Sequence, residues 1–425
     1  MGDLLSQTLL AVNDDAGGYL GKAISDIIQR EAAHNSIAEK YPCVRVEGGQ
    51  AFACNADDRY LLNYMPQLKQ LYASILASDD PPVVTTSVWR TKQPGFKLTK
   101  LGKKILLACQ FFSHREGEGR DWQKAYAHHE FHPVISVLFR SVMRWWATIC
   151  RWEDDSRVLI EGEPDTVAVE GLRGFVEFVR ITCRSQAFKN LLHDHERKAK
   201  DNFRSGCDYV IDQFARHSRL LVLRIDLYFR PDAKGWGYSK AADKAMTNYL
   251  RTLRLGRIVP DYLGFIIKRE NGISRGMHYH LMVFLDGHLH RNAYHLTEVM
   301  GEAWVKRVGV DKGSYWNCYA NKDLYRYNGL GLVHVSDVEK LIGIRVALFY
   351  MSKQDSVLKV DGSRVKNFWR SLKVKDDSNR GAPRKNGSGM ELVRRLLGGE
   401  RSKYPPDFEP RKNERPLVCE SHDLH

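Results

Sequence analysis

The sequence predicts an α+β protein in which a mostly helical region precedes an antiparallel sheet domain. Three observations support this: apolar residues at three-to-four spacing before residue 205, alternating strand patterns after residue 206, and two strands joined by a Gly-rich turn. A chain of 425 residues exceeds a typical single domain. We therefore expect helices in residues 1–205, the sheet domain in 206–375 and a basic, largely disordered tail in 376–425.

The N-terminal region carries helical periodicity in several segments that are separated by Pro-, Asp- and Gly-rich breakers. The predicted helices cover residues 16–33, 57–78, 97–112, 133–152 and 169–202. Their pattern does not specify a role, and recognition of a DNA origin or of a host protein both remain open.

The second region begins with a strand at 220–229, whose odd-numbered residues are apolar and predict a core face. Its other face carries Arg224, Asp226 and Tyr228. Two further strands flank a turn rich in Asn, Gly and Ser, and helical patterns surround them. The strands are predicted at 264–270 and 277–285, the turn at 271–276, and helices at 241–255, 297–308 and 336–354.

The end of the chain turns polar. Residues 375–389 read as a basic flexible linker, residues 390–397 as a short helix, and residues 404–416 as disordered.

Charge and composition narrow the function classes. The net charge of +14 points to a polyanionic partner, with nucleic acid first among the candidates. The eight cysteines form no C-x-x-C pair, which favours reduced thiols over a zinc ribbon. No apolar run reaches the roughly 20 residues that span a bilayer, so we expect no membrane partner and a cytoplasmic location.

The second strand of the pair contains His278-Tyr279-His280. Since strand side chains alternate between faces, both imidazoles project to the same side. Glu270, on the partner strand, joins them if it pairs with His278 rather than with Met277. Two imidazoles and a carboxylate suit Mg²⁺ or Mn²⁺, and Zn²⁺ remains an alternative.

Tyr350 and Lys353 lie three residues apart in a helical pattern and can face one site. A phenol near neutral pH is a weak nucleophile, so a neighbouring cation and a metal-polarised phosphate would have to activate it. Competing histidine groups fit a metal site less well, because they lie in helical or turn segments with unsuitable spacing. These groups are His128/His129/His132, His193/His195 and His288/His290.

In this order, the strand at 221–229, the His278-Tyr279-His280 motif and the Y-x-x-K motif at 350–353 resemble the HUH superfamily of rolling-circle replication initiators. The two strand sequences look most like the YagK/YfjJ prophage family, which is related to the gene II replication proteins of filamentous phages. The resemblance covers about residues 207–375 and leaves the first 200 unexplained. It implies a five-stranded antiparallel, ferredoxin- or RRM-like palm flanked by helices.

The resemblance also implies a metal held by His278 and His280, with Glu270 in the place of an acidic third ligand. Tyr350 would be the nucleophile and Lys353 its electrostatic partner. Some related initiators use two tyrosines on one helix, whereas Phe349 and Met351 flank a single tyrosine here. A mechanism that needs two successive tyrosines on this helix is therefore not expected.

These expectations combine into one hypothesis: a metal-dependent nickase that starts rolling-circle replication of a phage or mobile element through a 5′-phosphotyrosine. Its partner would be single-stranded or hairpin origin DNA, contacted by basic residues on the site side, and host helicase and polymerase would act with it because no P-loop is present. The alternatives are a non-catalytic prophage DNA-binding regulator and a transposase-like strand transferase. The candidate DNA contacts are Arg224, Lys268, Arg269 and Arg275.

Overall fold

A computed structural model describes most of the chain from residue 45 to residue 409. The described ranges are 45–47, 50–52, 56–88, 92–116, 129–272, 276–352, 358–360, 366–372 and 387–409. The predicted helix at 16–33, together with Arg275 and Lys353, lies outside them. The structure is α+β with antiparallel sheets, as predicted at this coarse level.

Contacts divide the chain after Asp194 into two units, and the short strand pair β1 and β2 groups with the second. The predicted boundary at 205/206 falls inside a single helix, Gln186–Arg216. In chain order the elements up to that helix are β1 (Arg45–Glu47), β2 (Gln50–Phe52), α1 (Ala56–Ala77), β3 (Val83–Ser87), β4 (Pro94–Leu98), α2 (Lys100–Glu116), β5 (His129–Phe131), α3 (Pro133–Ile149), β6 (Leu159–Ile160), a 3₁₀ turn (Pro164–Thr166), α4 (Val167–Arg184) and α5 (Gln186–Arg216).

The first unit is mostly helical, but it also contains a small antiparallel sheet in the order β3-β4-β6, which the sequence did not predict. The predicted helix at 169–202 is two helices, because Ser185 takes an extended conformation with ψ 146° and interrupts the backbone hydrogen bonds. Its Oγ accepts from the amide of Phe188 at 3.2 Å and so caps α5.

The second unit continues through the remaining elements. They are β7 (Arg219–Phe229), a 3₁₀ segment (Pro231–Tyr238), α6 (Lys240–Arg254), β8 (Tyr262–Gly272), β9 (Gly276–Asp286), α7 (Ala293–Val308), β10 (Gly313–Asn317), a 3₁₀ turn (Lys322–Leu324), β11 (Gly331–His334), α8 (Val338–Met351), β12 (Leu358–Val360), β13 (Phe368–Arg370) and α9 (Gly387–Leu397).

A six-stranded antiparallel sheet organises this unit. Its order is β10-β7-β9-β8-β13, and β11 pairs with the first part of β7 while β10 pairs with the last part. The strands β7, β8 and β9 are the ones predicted; β10, β11 and β13 were not, because they are short and their pairing is set by contacts distant in sequence. Each pair of neighbouring strands in this sheet is antiparallel.

Helices cover both faces of the sheet. The odd-numbered side chains of β7 and β9 pack against α6 and α7. The even-numbered side chains, including Val222, Met282 and Phe284, pack against α5, α8 and α9. Because the second face also continues into Asp226, His278 and His280, the structure places apolar core at one end of this face and a polar cluster at the other.

Residues 387–409 are ordered: α9 confirms the short helix predicted at 390–397, whereas residues 398–409 were expected within a largely disordered tail. Val393 and Leu397 of α9 are fully buried in the same core as α8. This order depends on Arg345 of α8, a buried partner that lies far away in sequence. Within the described residues, no helix combines the length and apolar character needed to cross a bilayer.

Candidate metal centre and tyrosine-bearing helix

The hairpin of β8 and β9 sets the register of the candidate metal ligands. Glu270 lies directly opposite His278, which is the pairing that the metal hypothesis requires. The ladder continues for two more pairs, to Gly272 opposite Gly276, so the turn is shorter than the predicted 271–276. Since the period of a strand is two, this register places the carboxylate on the histidine face.

The three ligand atoms converge. One atom from each of Glu270, His278 and His280 lies within 4.8 Å of the other two. Oε2 of Glu270 is 3.0 Å from Nε2 of His280 and 3.9 Å from Nε2 of His278. The two rings are nearly perpendicular at 88°, with centroids 4.9 Å apart. Among the described residues, this is the one group of three His, Cys, Asp or Glu side chains close enough to share an ion.

Hydrogen bonds orient both imidazoles. Nδ1 of His278 lies 3.0 Å from the carbonyl oxygen of Gly276, an acceptor only, so this nitrogen carries the proton. Nδ1 of His280 lies 2.7 Å from Oδ1 of Asp226 and donates to it. In each ring the Nδ1 contact leaves Nε2 to face Glu270, which is the orientation that a shared cation needs.

Asp226 is the site residue whose role the sequence reasoning missed. The alternation of β7 put it on the correct face, but its role depends on the register that sets it opposite His280. Tyr228 completes this corner: its hydroxyl donates to Oδ2 of Asp226 at 3.3 Å, and its ring stacks on His278 at 5.4 Å. Both contacts restrict the movement of the ligands.

In this cluster, burial and neighbouring charges shift the pKa values in opposite directions, and the charges have the larger effect. Burial raises the pKa of the Asp226 carboxyl, but the charges of His280 and Arg224 outweigh it and hold that pKa well below its ordinary value. Burial likewise raises the pKa of Glu270, and the hydrogen bond and charge of His280 bring it far below the usual range. For His280 burial lowers the pKa, yet Asp226 and Glu270 raise it to about 9.

The residues fit a hard divalent cation. Once His280 has given up its proton, two imidazole nitrogens and one ionised carboxylate leave coordination positions for water or phosphate oxygens, as Mg²⁺ and Mn²⁺ prefer. His278 is fully buried and His280 is 7% exposed, so the strands hold the donors rigidly. Four-ligand thiolate zinc has no counterpart in this group.

Tyr350 lies in the last turn of α8, which begins after the N-cap residue Asp337. Leu348 and Met351 of this helix share one core with Ile266 and Met282 of the sheet, so α8 covers the histidine-bearing face. Tyr350 is partly exposed and lines a cleft together with Tyr325 and Arg224. Nε of Arg224 is 3.7 Å from Oδ1 of Asp226, so the cleft borders the cluster around His280.

The predicted DNA contacts do not all lie on the same face of the sheet. Arg224 and Lys268 lie on the histidine face, where Lys268 pairs with His280 across the strands, but both are at least nine-tenths buried. Arg269 is on the opposite face, because neighbouring residues of a strand alternate. There its Nη1 lies 3.3 Å from Oδ1 of Asp243, so its expected place on the site side is wrong. Arg275 and Lys353 lie outside the described residues.

The competing histidines near the turn have local partners. His290 lies 2.7 Å from Asp261, and His288 lies 3.1 Å from the hydroxyl of Ser218. These contacts tie the end of β9 to neighbouring segments and gather no third ligand.

Comparison with known proteins supports part of the resemblance. No curated protein and no solved structure is detectably similar to the chain. Residues 184–371 match the model of the YagK/YfjJ C-terminal domain, a prophage-associated family. The matched segment contains β7, β8, β9 and α8, and with them Asp226, Glu270, both histidines and Tyr350.

Proposed function

We propose that the second unit is a metal-dependent single-strand DNA endonuclease, a nickase that initiates rolling-circle replication of a phage or mobile element. The observation that carries the proposal is the convergence of Glu270, His278 and His280 within 4.8 Å on one sheet face. That convergence joins residues from two strands, and the helix with Tyr350 packs on the same face.

A bound Mg²⁺ or Mn²⁺ would polarise a non-bridging oxygen of the scissile phosphate and stabilise the charge that develops there. The chain supplies the rest. The β8–β9 hairpin fixes the ligands, and Asp226 keeps Nε2 of His280 directed at Glu270. Arg224 lines the cleft beside Tyr350, so its positive charge favours entry of a phosphodiester.

In the proposed reaction the phenol oxygen of Tyr350 attacks the phosphorus and forms a new P–O bond. The bond from phosphorus to the 3′-oxygen breaks, and that oxygen leaves as a 3′-hydroxyl after it takes up a proton equivalent to the one lost by the phenol. The products are a 5′-phosphotyrosine and a free 3′-hydroxyl that can prime synthesis. The phosphodiester is exchanged rather than hydrolysed, so the bond can be closed again by the reverse attack.

Two further facts support DNA as the substrate. The chain carries a net charge of +14, which favours a polyanion. The matched family is prophage-associated, and a mobile element needs an enzyme to begin copying its own DNA.

The test uses the full-length protein, Mn²⁺ and end-labelled single-stranded oligonucleotides that tile the genetic element encoding the chain. We expect a covalent protein–DNA adduct on a denaturing gel, and mass spectrometry should locate the attached nucleotide on Tyr350. Tyr350→Phe should abolish the adduct, while the matched control Tyr294→Phe, on an exposed position of α7, should leave it unchanged. His278→Ala should abolish cleavage and preserve the salt-sensitive binding that the wild type shows in EDTA.

The other outcomes separate the alternatives. Binding without an adduct, under any divalent metal, would support a DNA-binding regulator. Adduct formation followed by joining of two different DNA ends would support a strand transferase. An adduct that persists in Tyr350→Phe would refute the assignment of the nucleophile.

A further inference from the structure

We propose that Lys403 is a positioning residue for Tyr350, delivered by the C-terminal strap, by which we mean residues 398–404. The inference rests on the proposed function, because it concerns the group that would attack DNA. It adds a charged side chain from a part of the chain that the sequence assigns to a disordered tail. Three sets of contacts support it.

The first set anchors the strap to α8. Arg345 is fully buried, and its guanidinium uses all of its five N–H donors on α9 and the strap. Nη1 donates to the carbonyls of Leu396 and Gly398 at 3.0 and 2.8 Å. Nη2 donates to the carbonyl of Glu400 and Oγ of Ser402, each at 2.8 Å, and Nε donates to the carbonyl of Ser402 at 3.2 Å.

Arg345 lies in the same helix as Tyr350, five residues earlier in the chain. A guanidinium with every donor satisfied fixes the direction of the backbone that it binds. The path of the strap is therefore determined by α8 itself, and the residues after Ser402 have a defined place relative to that helix.

The second set brings the strap across the C-terminal end of α8. Cζ of Arg401 lies 4.2 Å from the centre of the Phe349 ring. Its Nη2 donates to the Phe349 carbonyl at 3.3 Å and its Nε to Oγ of Ser352 at 3.4 Å. A cation at this end opposes the partial negative charge of the last carbonyls, and so stabilises the turn that carries Tyr350.

The third set is the contact with the tyrosine. Nζ of Lys403 lies 5.3 Å from the centre of the Tyr350 ring and 5.6 Å from that of Tyr404. Tyr404 is held in turn by the rings of Tyr327 and Phe408, at 5.5 and 5.7 Å. The ammonium group is thus placed between a fixed aromatic ring and the proposed nucleophile.

A cation over the ring of Tyr350 has two consequences. The attraction restricts the rotation of the side chain, so the hydroxyl is presented in fewer orientations. The positive charge also stabilises the negative charge that develops on the phenol oxygen as it loses its proton. This stabilisation is effective because the cation is already in place when the reaction begins. Arg401 and Lys403 are two residues apart in the strap. The first lies over the ring of Phe349 and the second over the ring of Tyr350.

The experiment compares Lys403→Met with Lys403→Arg in the full-length protein. Lys322→Met is the matched control, because Nζ of Lys322 lies 4.6 Å from the Tyr319 ring in a similar pair outside the cleft lining. With Mn²⁺ and the oligonucleotide that the wild type cleaves, we expect single-turnover adduct formation to slow about tenfold in Lys403→Met. Lys403→Arg should recover most of the rate, and Lys322→Met should match the wild type.

Two measurements separate positioning from folding and from binding. DNA affinity, measured by fluorescence anisotropy, should change less than about twofold, and the melting temperature should stay within about 2 °C of the wild type. Incorporated 3-fluorotyrosine gives a readout that does not depend on cleavage. The ¹⁹F signal of residue 350, assigned by its loss in Tyr350→Phe, should shift in Lys403→Met and stay in place in Lys322→Met.

The outcomes are distinguishable. If the wild type forms the adduct and Lys403→Met forms it equally fast, the positioning role is wrong and the proposed function stands. If Lys403→Met melts as early as Arg345→Ala, the lysine acts in folding and the inference is overturned. If the wild type forms no adduct on Tyr350, the proposed function fails and this role fails with it, even where the ¹⁹F shift demonstrates the ring contact.

Discussion

The affinity of the site for a divalent cation should depend steeply on pH, because His280 must lose a proton before its Nε2 can bind metal. Burial lowers the pKa of His280, but the carboxylates of Asp226 and Glu270 outweigh burial and raise it to about 9. Both carboxylates hydrogen-bond the ring, at 2.7 and 3.0 Å. At neutral pH the metal-free site therefore holds a proton that a cation has to displace.

The magnitude follows from that pKa. At pH 7 the ring is two units below a pKa of about 9 and only about 1% of it is neutral, so proton competition weakens the apparent affinity about a hundredfold. Between pH 6.5 and 8.5 the affinity should rise about tenfold for each pH unit, and the rise should level off above pH 9.

Titration calorimetry with Mn²⁺ measures this directly. At pH 7, titrations in two buffers of different ionisation enthalpy should report release of about one proton per metal. Asp226→Asn removes the charge that raises the pKa of His280, so the range of rising affinity should move to lower pH. An affinity that stays constant from pH 6.5 to 8.5, with no proton released, would refute the assignment of His280 as a ligand.

The metal-free protein should show the opposite trend in stability. Because the folded-state pKa of His280 is raised above the ordinary 6.5, its protonated form stabilises the fold below pH 6.5, and this contribution is lost as pH rises through about 9. The loss is roughly 3 kcal/mol by the size of the shift. Saturating Mn²⁺ should flatten the dependence, which melting curves with and without EDTA would reveal.

Three further predictions concern the scaffold. Arg345→Ala should lower the free energy of unfolding by roughly 3 kcal/mol, since five carbonyl and hydroxyl acceptors lose their buried donor, and chemical denaturation measures it. Gly343→Ala should lower the free energy of unfolding strongly, because a Cβ there would lie 2.2 Å from the amide nitrogen of Gly329. In the same assay the control Gly235→Ala should leave the free energy of unfolding nearly unchanged, because its Cβ would meet nothing within 4 Å. Burial raises the pKa of the Cys183 and Cys207 thiols to about 12, so both should react slowly with a disulfide reagent at pH 8 and quickly once the protein is unfolded; rapid reaction in the folded state would contradict their burial.

The fold was predictable where a pattern is local and long. The strands β7, β8 and β9 and the helices α6 and α8 follow alternation or helical spacing, and the structure has them within a few residues of the predicted bounds. The small sheet of the first unit was missed, because β6 has two residues and its pairing with β4 joins distant segments. The interruption at Ser185 was missed because apolar spacing continues across it.

The site was predictable for the same reason and within the same limit. Strand parity identified Glu270, His278 and His280 as neighbours, and the pairing that this required is present. The same parity rule, applied to Arg269, would have excluded it from the site. The role of Asp226 depends on the register between β7 and β9, which the local sequence does not encode. The order of the strap depends on Arg345, whose signal in the sequence was one charged residue within the otherwise apolar segment 341–351 of α8.

The charges of the metal-free cluster lead to a last prediction about the order of events. The carboxylates of Asp226 and Glu270 face three cations, Arg224, Lys268 and the protonated His280, so the cluster already carries about one net positive charge. Exchange of one proton for a divalent cation adds one unit of positive charge in a buried place, where it is weakly screened.

A phosphodiester carries one negative charge and would offset the positive charge that the metal adds, so metal and DNA should bind cooperatively. We expect Tyr350→Phe to bind the oligonucleotide that the wild type cleaves about tenfold more tightly in Mn²⁺ than in EDTA. Linkage then requires that this DNA increase the affinity of the protein for Mn²⁺ by the same factor. Tyr350→Phe keeps the DNA intact during the measurement, and adding His278→Ala to it should remove the coupling in both directions. Equal DNA affinity with Mn²⁺ and with EDTA would show that the cluster and the phosphate do not meet, and the nickase proposal would then lose its electrostatic basis.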